Sequence, residues 1–135
     1  MIKKISIAIV DDDADDREII KDAFEASGKS AECIMLENGD ALIDFLTTSP
    51  NNGLPSLIML DLNMPGKDGR EALKEIKTNN QLQTIPIIVF STSSSLKDKQ
   101  VVYELGANCF ITKPDTFNKL VDLAQSITKL WLPEA

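Results

Sequence analysis

The chain contains no histidine. This absence excludes a phosphohistidine donor, a histidine-based catalytic triad and a histidine-ligated metal within the chain itself. Cysteine is also scarce, because only Cys33 and Cys109 occur. Both lie inside apolar segments, where a free cysteine usually acts as a small core residue.

Positive charge is in short supply, with 14 Lys and Arg against 21 Asp and Glu and a formal charge of -7. A nucleic-acid-binding protein would normally carry a basic stripe, so we expect no nucleic-acid partner. No apolar run approaches the roughly 20 residues that cross a bilayer, and we expect no membrane partner. Carboxylates directly follow the first apolar run, IAIV, where a signal peptide would have a small-residue cleavage site. A cytoplasmic location is the resulting expectation.

Apolar segments are well represented, and five short runs alternate with five stretches of helical spacing. Runs such as LIML and IIVF are almost continuously apolar, as parallel strands covered on both faces are. This alternation predicts an α/β fold of (βα)₅ type, with right-handed crossovers and a doubly wound parallel sheet. We expect a single domain over residues 1–135, without an output domain. The predicted strands centre on residues 5–10, 33–36, 57–61, 86–90 and 108–111.

The predicted helices carry apolar stripes on one face. Asp13 or Asp15 is available to cap the first helix, and Gly28 is a suitable stop. The last stripe is the longest and ends near Pro133, with Leu130 and Trp131 near the end of its helix. The stripes begin at Ile19, Ala41, Ala72, Val101 and Phe117.

Polar side chains directly follow four of the five predicted strands. The carboxyl ends of parallel strands meet at one edge of the sheet, where open α/β folds bind their ligands. Three carboxylates, two hydroxyls and one ammonium group are therefore expected to converge on one pocket. They belong to Asp11 and Asp12 after the first strand, Asp61 at the end of the third, Ser91 and Thr92 after the fourth, and Lys113 after the fifth.

Three carboxylates in one pocket require a positive partner. Two like charges about 4 Å apart repel by roughly 4 kcal/mol at an effective dielectric near 20. Lys113 supplies one positive charge. A hard divalent cation would supply the rest, and Mg²⁺ suits a site with few carboxylates, retained waters and a phosphate. Each residue alone has an ordinary explanation as a helix cap, loop or surface residue, but their coincidence at successive strand ends favours a site.

These residues together resemble the receiver domains of two-component response regulators across essentially the whole chain. The resemblance implies a flavodoxin-like sheet with strand order 2-1-3-4-5. The loop TTSPNNGLPS and the missing output domain resemble stand-alone receivers paired with phytochrome-type sensor kinases. The matching pieces are the pair Asp11–Asp12, the DxNMPxxDG segment from Asp61 to Gly69, the hydroxyl of Ser91 and the dipeptide Lys113–Pro114.

The resemblance implies that Asp61 takes a phosphoryl group from a phosphohistidine on a sensor histidine kinase or phosphotransfer protein. The carboxylates of Asp12 and Asp61 and the backbone carbonyl of Asn63 would bind Mg²⁺ directly, and Asp11 would reach it through water. Lys113 would pair first with Asp61 and then with a phosphoryl oxygen. No organic cofactor is expected.

The resemblance also implies a switch formed by Ser91 and Phe110. The Ser91 hydroxyl would contact a second phosphoryl oxygen, and Phe110 would turn inward when that hydroxyl moves. The Lys113–Pro114 bond is expected to be cis. Phosphorylation would then change the interactions with an unknown downstream protein or within a homodimer. The chain is not expected to be an enzyme with a separate substrate, although it would catalyse its own phosphorylation and dephosphorylation.

Two alternatives remain open at this point. A phosphatase of the haloacid dehalogenase class would use Asp11 as nucleophile and Asp13 as acid, with Ser91 and Lys113 as later motifs. Against it, the chain is short, no threonine follows the DxD, and no acidic pair follows Lys113. The other alternative is an adaptor receiver that works without phosphorylation, although every chemical group for phosphorylation is present.

Overall fold

The computed structural model describes residues 5–28, 30–48, 53–64, 66 and 68–132. Strands and helices alternate along the chain as predicted. Residues 49–52 of the TTSPNNGLPS loop and residues Pro65 and Lys67 of the DxNMPxxDG segment lie outside the described residues. The strands are β1 (Ser6–Val10), β2 (Glu32–Leu36), β3 (Leu57–Leu60), β4 (Ile87–Ser91) and β5 (Cys109–Thr112). The helices are α1 (Ala14–Ala26), α2 (Gly39–Thr48), α3 (Gly69–Lys77), α4 (Leu96–Glu104) and α5 (Phe117–Trp131).

The five strands form one parallel sheet in the order β2-β1-β3-β4-β5. The flavodoxin-like fold and its strand order are confirmed. In the register of β1 and β3, Val10 lies opposite Leu60. Because both residues are the last of their strands, the loops that follow them emerge at the same edge.

The sheet separates two apolar layers. Alternate residues of β1 point to opposite faces, so Ile7 and Ile9 face α1 and α5, whereas Ala8 and Val10 face the other helices. Every residue of β3 and β4 is buried, which explains their continuously apolar sequences. The first layer includes Ile20, Phe24, Leu120, Ala124 and Ile127, and the second includes Leu42, Leu46, Leu73, Ile76 and Val102. In the part of the chain that the structure describes, every helix is too short or too polar to span a bilayer.

Asp13 caps α1, as one of the two predicted candidates. Its side chain accepts hydrogen bonds from the backbone N–H groups of Asp15 and Asp16, at 2.8 and 3.2 Å. The helix ends at Ala26, and Gly28 follows with φ of 91°. A left-handed residue at this point is a common helix stop, so both predicted ends of α1 are confirmed.

Two residues of the predicted apolar stripes lie at the surface. Ile19 is 44% exposed and Phe117 is 46% exposed. Both line a groove of about 310 Å³ between α1 and the start of α5, which also reaches Lys113. At the end of α5, Trp131 packs against the core while Leu130 is exposed.

Candidate functional site

The backbone hydrogen bonds between neighbouring strands continue for one residue beyond the strand ends and so position the site residues. The Asp61 N–H donates to the carbonyl of Val10 at 3.0 Å, and the Lys113 N–H donates to the carbonyl of Ser91 at 2.7 Å. Asp11 directly follows Val10 in the chain. The sheet therefore brings Asp11, Asp61, Ser91 and Lys113 to one edge, as the sequence predicted.

The carboxylates of Asp11, Asp12 and Asp61 form a cluster at this edge. One oxygen from each lies within 4.8 Å of the others. Asp11 and Asp61 are buried, whereas Asp12 is exposed. Since Mg²⁺ and other hard cations prefer carboxylate oxygens and retain waters, one exposed and two buried carboxylates are compatible with a divalent cation site.

Asp11 is already surrounded by hydrogen-bond donors. One carboxylate oxygen accepts from Nζ of Lys113 at 2.7 Å, and the other accepts from the backbone N–H of Asp13 at 2.9 Å. The guanidinium of Arg17 donates to the Asp11 backbone carbonyl at 2.6 Å. Arg17 was not predicted as part of the site, and it fixes the loop that presents Asp11.

Lys113 lies between two carboxylates of the β1–α1 region. Its Nζ is 2.7 Å from Asp11 and 3.4 Å from Asp16, and among the described residues these are its ion pairs. The implied first contact with Asp61 is therefore replaced in this structure by contacts with Asp11 and Asp16. Burial lowers the pKa of Lys113, but the hydrogen bond from Lys113 to Asp11 and the charges of Asp61 and Asp16 outweigh it and leave the pKa raised.

The Asp61 carboxyl has a pKa raised to about 6. Burial is the largest cause, and the neighbouring charges of Asp11 and Asp12 add to it, while the charge of Lys113 opposes it. A carboxyl with this pKa is more easily protonated than an exposed aspartate. A cation placed against it would favour the ionised form.

Gly69 is required where α3 meets the loop after Asp61. A Cβ at this position would lie 2.8 Å from Cα of Leu62 and still closer to the carbonyl oxygen of Asp61. The Gly69 N–H donates to the Leu62 carbonyl at 3.0 Å. The side chain of Asp68 caps α3 from the preceding position. The helix therefore begins directly against the backbone of the predicted phosphoacceptor.

The predicted switch residues lie on the neighbouring strands. Ser91 is fully buried, and its Oγ accepts the backbone N–H of Ser93 at 3.2 Å. Phe110 is 8% exposed, so its ring already lies inward in this structure. The Phe110 N–H donates to the hydroxyl of Tyr103 at 2.9 Å, and Nζ of Lys99 is 5.7 Å from the ring centroid.

The remaining predicted positions are less enclosed. Asn63 is exposed in the loop after Asp61, and Thr92 is exposed beside Ser91.

No cis peptide bond occurs within the described ranges, so the expected cis bond between Lys113 and Pro114 is wrong.

The structure adds a polar network that sequence analysis did not predict. Arg70 in α3 and Ser93 in the β4–α4 loop both bind the carboxylate of Asp98 in α4. The hydroxyl of Ser93 and then the guanidinium of Arg70 hold the pKa of Asp98 below its usual value. Arg70 and Asp98 are 28 residues apart, on different helices, so no local motif indicates the pair.

The doubly wound sheet and its acidic, lysine-containing edge define a receiver-type signalling domain. The model of the family described as response regulator receiver domain matches residues 7–125, most of the chain. The chain therefore belongs to that family.

Individual relatives agree with this assignment. The chain is 39% identical to the response regulator Rcp1 of Synechocystis sp. over 129 residues, 93% of this chain and 88% of Rcp1. The crystal structure of the phosphorylated cyanobacterial phytochrome response regulator RcpA has a TM-score of 0.87 at 34% identity, over 97% of this chain and 99% of RcpA. The Mn²⁺-bound form of Rcp1 has a TM-score of 0.84 at 37% identity, over 97% and 96% of the two chains. The chain is thus a receiver similar to phytochrome response regulators, and the haloacid dehalogenase alternative is not favoured.

Proposed function

We propose that this receiver accepts a phosphoryl group on Asp61 from a phosphohistidine of a sensor histidine kinase or phosphotransfer protein. The carboxylate cluster within 4.8 Å, next to the Lys113 ammonium, is the observation that carries the proposal. An Asp61 oxygen forms the new bond to phosphorus, the bond from phosphorus to the donor imidazole breaks, and the imidazole leaves with that electron pair. Similarity to phytochrome response regulators supports a phytochrome-type upstream kinase.

The residues around Asp61 supply electrostatic stabilisation. Phosphoryl transfer spreads negative charge over the phosphoryl oxygens, and fixed donors aimed at them stabilise the transition state. The Lys113 ammonium is held at the pocket by Asp11 and Asp16 and would turn to one phosphoryl oxygen. The buried Ser91 hydroxyl would donate to another.

Mg²⁺ is the proposed metal. It would neutralise charge on the carboxylates and on the phosphoryl oxygens when bound. We assign direct contacts to the carboxylates of Asp12 and Asp61 and to the carbonyl of Asn63. Asp11 would act through water while its two carboxylate oxygens accept hydrogen bonds from the Asp13 N–H and from Lys113. The Mn²⁺-bound form of the similar protein Rcp1 supports a divalent cation in this chain.

The phosphorylated state would be transient. An acyl phosphate is labile to water, and the groups that stabilise the transition state for its formation also stabilise that for its hydrolysis, so we expect the chain to dephosphorylate itself.

Ser91 and Phe110 would transmit the change to the face of α4, β5 and α5, because Phe110 contacts Tyr103 and Lys99 of α4. A downstream protein or a second copy of the chain would read that face.

Incubation with acetyl phosphate and Mg²⁺ tests the proposal. We expect mass spectrometry of the intact protein to show the gain of one phosphoryl group, and chelation of the metal to prevent it. Asp61→Asn should abolish the gain, whereas Asp22→Asn, an exposed carboxylate on α1, should leave it unchanged. If the unmodified chain gains no phosphoryl group, the adaptor function is favoured.

A further inference from the structure

We propose that the ion pair between Arg70 of α3 and Asp98 of α4 positions the Ser91 hydroxyl for the phosphoryl group. The inference rests on the proposed phosphorylation of Asp61 and extends it to two residues outside the pocket. Neither Arg70 nor Asp98 would touch the phosphoryl group. They would act through the loop that carries Ser91.

A continuous chain of polar contacts joins the ion pair to Ser91. Nη2 of Arg70 lies 3.0 Å from one carboxylate oxygen of Asp98. The other oxygen accepts the hydroxyl of Ser93 at 2.7 Å. The backbone N–H of Ser93 donates to Oγ of Ser91 at 3.2 Å. Both carboxylate oxygens of Asp98 therefore accept hydrogen bonds, one from Arg70 of α3 and the other from Ser93 of the loop.

Two further hydrogen bonds fix Ser93 in the loop after Ser91. Its hydroxyl oxygen accepts the backbone N–H of Ser95 at 3.1 Å, and its carbonyl accepts the hydroxyl of Thr112 in β5 at 3.3 Å. Ser95 in turn caps α4 by accepting the Asp98 N–H at 3.3 Å. Asp98 thus fixes the loop through its backbone as well as its side chain, which is a tighter arrangement than an isolated surface ion pair.

The other end of the ion pair is tied to the phosphoacceptor. Arg70 follows Gly69, whose Cα lies so close to the Asp61 and Leu62 backbone that no side chain fits. The start of α3 therefore cannot shift without moving the Asp61 loop. The ion pair consequently sets the spacing between the loop after Asp61 and the loop after Ser91, the two loops that the phosphoryl group must bridge.

The hydrogen bond to Ser91 leaves its proton available. A serine hydroxyl accepts through its lone pairs and donates through one O–H, so acceptance from Ser93 fixes the oxygen and leaves the proton to point at a phosphoryl oxygen. An accepted hydrogen bond also polarises the O–H and strengthens it as a donor. A donor contributes to catalysis only when its position matches the developing charge, and the network supplies that position.

The initial rate of phosphorylation by acetyl phosphate at saturating Mg²⁺ tests the inference. We expect Arg70→Ala and Asp98→Ala each to slow this rate by about three- to tenfold. A Ser91 hydroxyl that is no longer held in place stabilises the transition state less than a fixed one does. The double variant should be no slower than Asp98→Ala, since Arg70 acts through Asp98. Arg70→Lys should recover most of the rate. The affinity for Mg²⁺, measured separately by calorimetry, should stay unchanged in all of them.

Matched controls separate positioning from general loosening. Lys119→Ala breaks the exposed ion pair of 2.9 Å between Lys119 of α5 and Asp115, which precedes that helix, and should keep the wild-type rate. If Asp98→Ala does not fold, Asp98→Asn carries the comparison, because it keeps an acceptor for Ser93 while removing the charge that holds Arg70. Asp98→Asn should then be slower than wild type.

The outcomes are distinguishable. A wild-type chain that takes up no phosphoryl group overturns the proposed function and this inference with it. A wild-type chain that is phosphorylated, with Arg70 and Asp98 variants at the same rate, overturns the inference alone. Slower variants whose Mg²⁺ affinity falls in proportion also overturn it, because the pocket as a whole would then have loosened.

Discussion

Ionisation of the Asp61 carboxyl destabilises the folded protein relative to the unfolded chain. Burial and two neighbouring carboxylates raise its pKa from 3.8 to about 6. The folded chain therefore binds a proton at this position more readily than the unfolded chain between these two pKa values. By linkage, its contribution makes the protein less stable as pH rises through this window, and the full penalty is present above it.

Replacing Asp61 with asparagine should consequently stabilise the metal-free protein at neutral pH. We expect Asp61→Asn to raise the free energy of unfolding by about 2–3 kcal/mol at neutral pH, and by about half as much at pH about 5. Urea denaturation with a chelator present measures both values. Asp22→Asn, an exposed carboxylate, should show no comparable gain. An equal gain for Asp61→Asn at both pH values would contradict the raised pKa.

At the residue scale, sequence reasoning identified the chemistry but not its contacts. Asp11, Asp61 and Lys113 were predictable because strand ends of a parallel sheet meet at one edge. The second partner of Lys113, Asp16, was not, since its role depends on how the first turn of α1 is oriented toward the pocket. Side-chain orientation of this kind is a tertiary property, and apolar periodicity does not encode it. The roles of these residues in phosphorylation stay predictions.

The start of α3 shows how an element constrains Asp61, the proposed phosphoacceptor. A side chain at position 69 would meet the backbone of Asp61 and Leu62 within 2.8 Å, and backbone cannot yield as a flexible side chain does. We expect Gly69→Ala to lower the free energy of unfolding by about 1–3 kcal/mol, as overpacking generally does. Thermal and urea denaturation would measure the change. Glu71→Ala, an exposed substitution in the same turn, should cost far less, and equal losses would argue against the steric cause.

At the other end of α3, Lys77 makes hydrogen bonds to three neutral acceptors among the residues that the structure describes. Nζ of Lys77 donates to the carbonyls of Gln83 and Ile85 and to the side chain of Asn108, at 3.0, 2.8 and 3.0 Å. Burial lowers the pKa of Lys77, so these neutral acceptors replace lost hydration. We expect Lys77→Met, which keeps most of the stem, to lower the free energy of unfolding by about 1–3 kcal/mol.

Lys74 supplies the control for that prediction. It is exposed on the same helix, and Lys74→Met removes the same charge from a solvated position. Urea denaturation of the two variants under one set of conditions compares them directly. Similar losses for both would mean that charge or helix propensity, and not the three hydrogen bonds, carries the effect.

Element positions followed from periodicity, whereas the exposure of individual stripe residues did not. The predicted apolar stripe of α3 is confirmed, because Ala72, Leu73 and Ile76 are all buried. Ile19 and Phe117 match the same pattern but line the open groove beside Lys113. A helical stripe predicts which face is apolar, but not where neighbouring elements stop covering that face.

At the scale of the whole molecule, strand order is the property that local patterns determine least. Alternation of strands and helices predicted a parallel sheet with right-handed crossovers. The order 2-1-3-4-5 came from the resemblance to receiver domains, because several orders satisfy the same crossover rule. That order decides which strands lie at the edges, and hence which distant residues can meet.

The two cysteines test this order directly. Cys33 lies on β2 and Cys109 on β5, the two edge strands, and both are free thiols. Four strand spacings of about 4.8 Å separate them by about 19 Å, while a disulfide needs Cα atoms within about 7 Å. Burial also raises the pKa of the Cys33 thiol, which slows its oxidation.

We therefore expect the native chain to form no internal disulfide under a mild thiol oxidant such as diamide. Electrophoresis without reductant should show monomer that migrates as the reduced chain does, together with any intermolecular dimer. The same oxidant applied in urea should produce a faster-migrating internal disulfide, because unfolding removes the separation imposed by the sheet. Cys33→Ser should lack that faster species and so identify it. A rapid internal disulfide in the native protein would contradict the placement of β2 and β5 at opposite edges.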